Sequence, residues 1–190
     1  MEILDILGRR WSPRCFDDKA VEQEKLQNMM EAARLAPSAM NEQPWYYFIG
    51  RKDDETYRKI FSTLVEFNQL WAIQAPLLMM ACGRTKYVSR DNSDNRYWDY
   101  DVGQSVAYLT LQATYEGLFC HQMGGFDTDK TAELFHLPEE VAPIVVIAVG
   151  YMGNPETLPD FLRTMENGPK TRKSLESFIF GSDFGIPYQF

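Results

Sequence analysis

The sequence predicts a single α+β domain, and three observations carry that prediction. Helix-like and strand-like stretches are interleaved without the strict strand–helix–strand rhythm of a doubly wound sheet. No GxGxxG follows the first strand pattern, which argues against a dinucleotide-binding Rossmann domain. The 190 residues contain no internal repeat or low-complexity tract, and that length suits one sizeable core better than two.

The elements follow in order. Ile3, Leu4, Ile6 and Leu7 give residues 1–8 the pattern of a short helix closed by Gly8. "RRWSPRCFDD" is then a loop, because Pro13 pushes Ser12 out of helical geometry. A second helix runs over about 21–35, with Leu26, Met29, Met30 and Ala33 as its buried stripe. The loop "APSAMNEQPW" leads into a strand "WYYFIG", which Gly50 ends. One helix is expected over about 53–67, and then a strand, "QAPLLMMACG", introduced by Pro76. The polar stretch "RTKYVSRDNSDNR", residues 84–96, is the most loop-like segment and the candidate mobile one.

The longest helical pattern covers 97–117, with Val102, Val106, Leu109, Leu111, Ala113 and Tyr115. Gly103, Ser105, Ala107 and Ala113 on it would let another helix approach closely. "LFCHQMGGFD" reads as strand then turn, and "DTDKTAELFHLP" as a short helix with Asp127 or Thr128 at its N-cap. "APIVVIAVGYMG" is a buried strand. The tail "SLESFIFGSDFGIPYQF" carries Leu175, Phe178, Ile179, Phe180, Phe184, Ile186, Tyr188 and Phe190 between Gly and Pro breaks. Left in water, that surface invites association. It either folds back on its own domain or lies across a second subunit, and its broken, strap-like pattern favours the subunit.

Composition narrows the function. A net charge of −8 argues against a general nucleic-acid binder, which presents a basic face to phosphates. No apolar run approaches the roughly 20 residues of a membrane span, and the N-terminus lacks a signal-peptide core, so a cytoplasmic location is expected. Cys15, Cys82 and Cys120 form no CxxC, and His121 and His136 lie off metal-ligand spacing; no metal site is expected. The positive charges are nevertheless clustered, with Arg9, Arg10 and Arg14 near one end and Lys170, Arg172 and Lys173 near the other. Each cluster reads as solvated surface or as a receptor for an anionic ligand.

Four segments in order, "RRWSPRCFD", "APSAMNEQPW", "MGGFD" and "TRKSLESF", resemble the nitroreductase family of FMN-dependent oxidoreductases over nearly the whole chain. The resemblance implies a central, mostly antiparallel sheet flanked by helices in an intertwined homodimer. It makes 1–190 one FMN-binding domain, with 174–190 a strap across the partner. The same resemblance places Arg10 on the FMN phosphate together with Arg172 or Lys173, assisted by Arg9, since guanidinium forks bind phosphate bidentately. Trp11 belongs to the same cofactor-binding segment. Ser12 would bond ribityl or phosphate oxygens, and Arg14 would reach the pyrimidine side of the ring.

Pro37, Ser38, Ala39 and Asn41 would cap the flavin from the neighbouring subunit, while Gln43 and Pro44 fix that loop. Asn68 matches a position offering an amide to the pyrimidine edge, although Trp71 stands where some members have a basic residue. Met123, Gly124 and Gly125 would sit beside flavin N5, where glycine permits close approach of backbone. The implied reaction is a ping-pong transfer of hydride from NAD(P)H through flavin N5 to a nitroaromatic, quinone or similar small acceptor, with no side chain obviously a general acid or base. Tyr97, Trp98, Tyr100 and Phe126 are candidates for the substrate face. Two other readings remain: an FMN storage or sensing module, favoured if Trp71 or Trp98 fills the space near Gly124, and a divergent flavin enzyme such as a dehalogenase, a dehydrogenase or a flavin-fragmenting enzyme.

Overall fold

A computed structural model describes residues 3–190. Its four strands are β1 (Trp45–Arg51), β2 (Leu77–Arg84), β3 (Phe119–Met123) and β4 (Val141–Gly150). They form one sheet in the order β1-β2-β4-β3, with every neighbouring pair antiparallel. Among the described residues seven α-helices accompany it: α1 (Asp5–Arg9), α2 (Gln23–Arg34), α3 (Glu55–Thr63), α4 (Glu66–Ala72), α5 (Trp98–Tyr115), α6 (Thr128–Leu134) and α7 (Asp160–Glu166).

The central strands are apolar on both faces because both faces are covered. Successive side chains of a strand point to opposite sides. Leu78, Met80 and Cys82 of β2 therefore join Val146 and Ala148 of β4 on one side, under Tyr57 and Ile60 of α3, Trp71 of α4 and Leu162 of α7. Leu77, Met79 and Ala81 join Ile147 and Val149 on the other, under Leu26, Met29 and Ala33 of α2 and Val102, Val106 and Leu109 of α5. Helices α2 and α5 meet at a small residue, Ser105, whose hydroxyl donates to the Ala33 carbonyl at 3.0 Å.

Two expectations need correction, and one helix was not expected. Gly8 does not close the first helix: α1 runs to Arg9, and Arg10 ends it by turning extended into the Trp11–Pro13 segment. The first two residues of that expected helix lie outside the described residues. The single helix expected over 53–67 is two, broken at Leu64 and Val65. No glycine or proline breaks it; Leu64 instead pairs with Phe126, and the Val65 N–H donates to the Gly125 carbonyl at 3.1 Å. Helix α7 falls in a stretch to which the sequence reading assigned no element.

The 84–96 segment is a small hairpin. Its Asn95 N–H donates to Thr85 O and its Tyr87 N–H to Ser93 O, both at 2.8 Å. The helix over 128–134 is capped by Asp127, whose carboxylate accepts from the Lys130 N–H at 2.9 Å. No helix among the described residues is long and apolar enough to cross a membrane.

Tyr57 ties α3 to the turn before β2, its buried hydroxyl donating to Ala75 O at 2.9 Å with Ala72 O at 3.2 Å. Tyr57→Phe removes that donor and is expected to cost about 1–1.5 kcal/mol. A thermal melt should show a fall of about 3 °C for a domain of this size.

Candidate functional site

The segment Arg10–Arg14 lies between α1 and α2, where Pro13 keeps the chain extended. It is pinned from two directions. From α7, the Glu166 carboxylate accepts from Trp11 Nε1 at 2.8 Å and from the Arg14 N–H at 2.9 Å. From β3, His121 donates its Nδ1–H to the Pro13 carbonyl at 2.9 Å; a carbonyl only accepts, so that nitrogen carries the proton. The His121 ring packs against Trp71, centroids 4.3 Å apart. Trp71 belongs to α4, the helix that also carries Asn68, and Asn68 Nδ2 donates to Gly125 O at 2.9 Å. This chain of contacts links Arg10, Trp11, Ser12 and Arg14, through His121 of β3 and Trp71 of α4, to Asn68 and the Gly124–Gly125 turn that follows β3.

Within this group the donors are unevenly used. Arg9 pairs with Asp5 at 2.6 Å and is half exposed. Arg10 donates to Ser12 Oγ at 3.1 Å. Arg14 Nη1 stands 4.0 Å from Glu166 Oε2, while its Nε is buried and has no hydrogen-bond partner. Asn68 spends one N–H on Gly125, leaving its carbonyl oxygen and second N–H as an acceptor and a donor. A Cβ at Gly124 would meet nothing within 4 Å, whereas one at Gly125 would lie 2.8 Å from Asn68 Nδ2. The Met123 side chain is buried in the core, so the part of Met123 available to a ligand is its main chain.

The basic tail segment approaches the same place. Lys170 Nζ lies 4.3 Å from the centre of the Trp11 ring. Arg172 is exposed and bonds its own neighbour, Thr171 O, and Lys173 is exposed. Among the described residues neither makes an ion pair with a carboxylate.

The loop of Pro37, Ser38, Ala39 and Asn41 lies elsewhere, on the α5 side of the sheet. Ala39 N–H donates to Asp101 Oδ2 at 3.0 Å, and Asp101 is itself buried in the first turn of α5. Burial raises the Asp101 carboxyl pKa, and the Ala39 N–H opposes that shift. Gln43 N–H donates to Ser38 Oγ at 3.0 Å, and Gln43 Nε2 reaches Asn41 Oδ1 at 3.2 Å. Met40, Asn41 and Gln43 have φ of 54°, 58° and 48°, a left-handed backbone that non-glycine residues adopt at a cost. Pro37, Ser38 and Ala39 line a cavity of about 240 Å³ with Tyr97, Tyr100, Asp101 and Gln104. Among the described residues no hydrogen bond joins this loop to the Arg10–Arg14 group.

Neither tryptophan fills the space at Gly124. Trp71 is wholly buried between Phe16 and His121, and Trp98 packs against Gly83. Glu166 and Asp101 were not singled out from the sequence. Their partners lie 155, 152 and 62 residues away, and no local pattern announces such a carboxylate.

Burial lowers the His121 pKa, with the Arg14 charge helping and the Pro13 carbonyl opposing. The unfolded chain, at about 6.5, then binds the proton more readily than the folded one. Stability is therefore full above pH 6.5 and declines as pH falls toward the lower folded value. Melting temperatures between pH 7.5 and 5 should show this slope, and His121→Gln should flatten it.

These features define a class: an α+β protein with a cationic, partly unsatisfied segment linked across one strand to the glycine turn at its end. The nitroreductase family profile matches residues 7–69 and 51–151. The chain belongs to the nitroreductase family. A crystal structure described as an oxidoreductase containing FMN superposes with a TM-score of 0.92 at 30% identity, covering 98% of this chain and 94% of that one. An uncharacterized 15.4 kDa protein of Mycolicibacterium smegmatis is 31% identical over 134 residues, 70% of this chain and 88% of that protein. The FMN reductase (NAD(P)H) of Bacillus subtilis is 27% identical over 166 residues, 79% of this chain and 66% of that protein. The fold is thus the α+β nitroreductase fold expected from the sequence.

Proposed function

We propose that the protein is an FMN-dependent oxidoreductase that takes reducing equivalents from NAD(P)H and passes them, by a ping-pong mechanism, to a nitroaromatic, quinone or similar small acceptor. The observation that carries this reading is the open space at Gly124, on the turn that Asn68 holds and that Trp71 and His121 link to the Arg10–Arg14 segment. An FMN storage module would have less reason to keep that face clear. When bound, FMN supplies a centre that accepts a hydride and releases it.

The residues present suit this cofactor. Arg10, with Arg9 and Ser12, holds the phosphate, and the tail cations Arg172 and Lys173 join them from the segment that Lys170 anchors over Trp11. Arg14 offers the exposed part of its guanidinium to an acceptor on the ring edge, and Asn68 offers its remaining amide atoms. The main chain of 123–125 lies beside the reactive edge, where Gly124 admits the nicotinamide and then the acceptor. No titratable side chain is needed as proton donor in this scheme.

The reading includes a homodimer. The strained loop of Pro37, Ser38, Ala39 and Asn41 lies on the α5 side of the sheet, opposite its own chain's Arg10–Arg14 segment, which suits a loop that caps the partner's cofactor. Phe184 and Phe190 are 94% and 87% exposed, which suits a tail, 174–190, that straps the partner. A cytoplasmic setting supplies the nucleotide.

An absorbance spectrum of the purified protein, followed by anaerobic addition of NADH and then NADPH, tests the proposal. Bound yellow flavin that bleaches with either nucleotide is the expected result and names the donor. Flavin that stays oxidised with both favours the storage module. Protein that takes up no FMN refutes both readings.

A further inference from the structure

Glu166 comes from a short helix otherwise unconnected with the site. Leu162, fully buried, anchors α7 in the core, and Glu166 follows four residues later on the same helix face. That spacing drives a carboxylate side chain, only 4% exposed, toward the Arg10–Arg14 segment. Both of its oxygens accept: one from Trp11 Nε1 at 2.8 Å and the other from the Arg14 N–H at 2.9 Å. The Arg14 guanidinium faces the second oxygen at 4.0 Å, within ion-pair range but beyond a hydrogen bond. The guanidinium is thereby oriented and partly neutralised, yet its buried Nε is left without a partner.

We propose that Glu166 is a positioning residue that sets how much of the Arg14 charge reaches the bound cofactor, and so tunes the reduction potential of FMN; this rests on the functional reading above. A cation near the ring stabilises the extra negative charge of the reduced cofactor. A carboxylate behind that cation offsets part of the effect, and burial keeps solvent from screening it. Its hydrogen bonds to Trp11 and to the Arg14 main chain hold the arrangement in place whether or not the ring is reduced.

FMN-loaded wild type, Glu166→Gln and Glu166→Asp are to be titrated anaerobically against reference dyes, with oxidised-FMN affinity measured by fluorescence quenching and folding by thermal melts. Glu166→Gln is expected to favour the reduced over the oxidised bound state about tenfold, a rise of about 30 mV for a two-electron couple. Glu166→Asp keeps the charge and should move the potential by less than about a third of that, while its shorter arm lowers the melting temperature. A potential unchanged in Glu166→Gln, or shifted equally in both variants, overturns the proposal and leaves Glu166 a structural brace. Should the Gln variant not fold, Glu166→Asp carries the test alone, because a brace predicts that potential follows lost stability. Wild type that takes up no FMN overturns the functional reading, and the proposal with it, before any variant is compared.

Discussion

Arg14→Gln should weaken FMN binding about thirtyfold, the equivalent of about 2 kcal/mol for one lost charge-assisted hydrogen bond. The side chain makes no hydrogen bond of its own among the described residues. Its Nε is buried without a partner, and its contact with Glu166, at 4.0 Å, is too long for a hydrogen bond. The bond that fixes the segment runs from the Arg14 main chain to Glu166 and survives the substitution. The apoprotein should therefore melt within a few degrees of wild type while its FMN dissociation constant rises. Arg9→Gln is the contrast, because Arg9 is half exposed and already paired with Asp5. Its effect should stay within about threefold, as for most solvated ion pairs. Equal effects of the two variants would mean that the Arg14 guanidinium does not face the cofactor.

The family resemblance separates Arg9 from Arg14 by role, but the difference in their surroundings was not legible in the sequence, where Arg9, Arg10 and Arg14 form one cluster. What distinguishes them is long-range: α7 delivers Glu166 to Arg14, and only the fold brings residues 14 and 166 together. The elements that could be read were those whose signal is local. The apolar runs of β2 and β4 and the stripe of α2 have the right periods, and they form as expected. Helix α7 could not be read, because seven residues with two buried positions, Leu162 and Glu166, give too short a pattern. The break between α3 and α4 is likewise invisible locally, since the Gly125 carbonyl and Phe126 impose it from another part of the chain. The motifs of the site were legible for the opposite reason. Glycine pairs, prolines and clustered arginines mark positions where backbone must come close or charge must concentrate, and these remain visible without tertiary context.

The Gly124–Gly125 pair shows how far such a motif must be refined by geometry, and it yields the largest expected effect on turnover. Both residues read alike in "MGGFD", yet their surroundings differ. A Cβ at Gly125 would press on Asn68 Nδ2 at 2.8 Å and Val65 Cγ2 at 3.0 Å, so Gly125→Ala disturbs the amide that holds the turn. A Cβ at Gly124 meets nothing within 4 Å, and Gly124 is not among the residues with positive φ. Gly124→Val should therefore fold and bind FMN much as wild type does, melting within about 2 °C. If the reactive edge lies beside Gly124, the added methyl groups occupy the approach used by nicotinamide and acceptor. Displacement of a reactant by about 1 Å costs on the order of 100-fold in rate, so kcat/KM for NAD(P)H should fall at least that much. The decisive result is the pairing of retained flavin absorbance with lost bleaching in stopped-flow reduction. A variant that keeps its flavin and still bleaches at the wild-type rate would move the reactive edge away from Gly124. It would also leave the open space there without a catalytic reason.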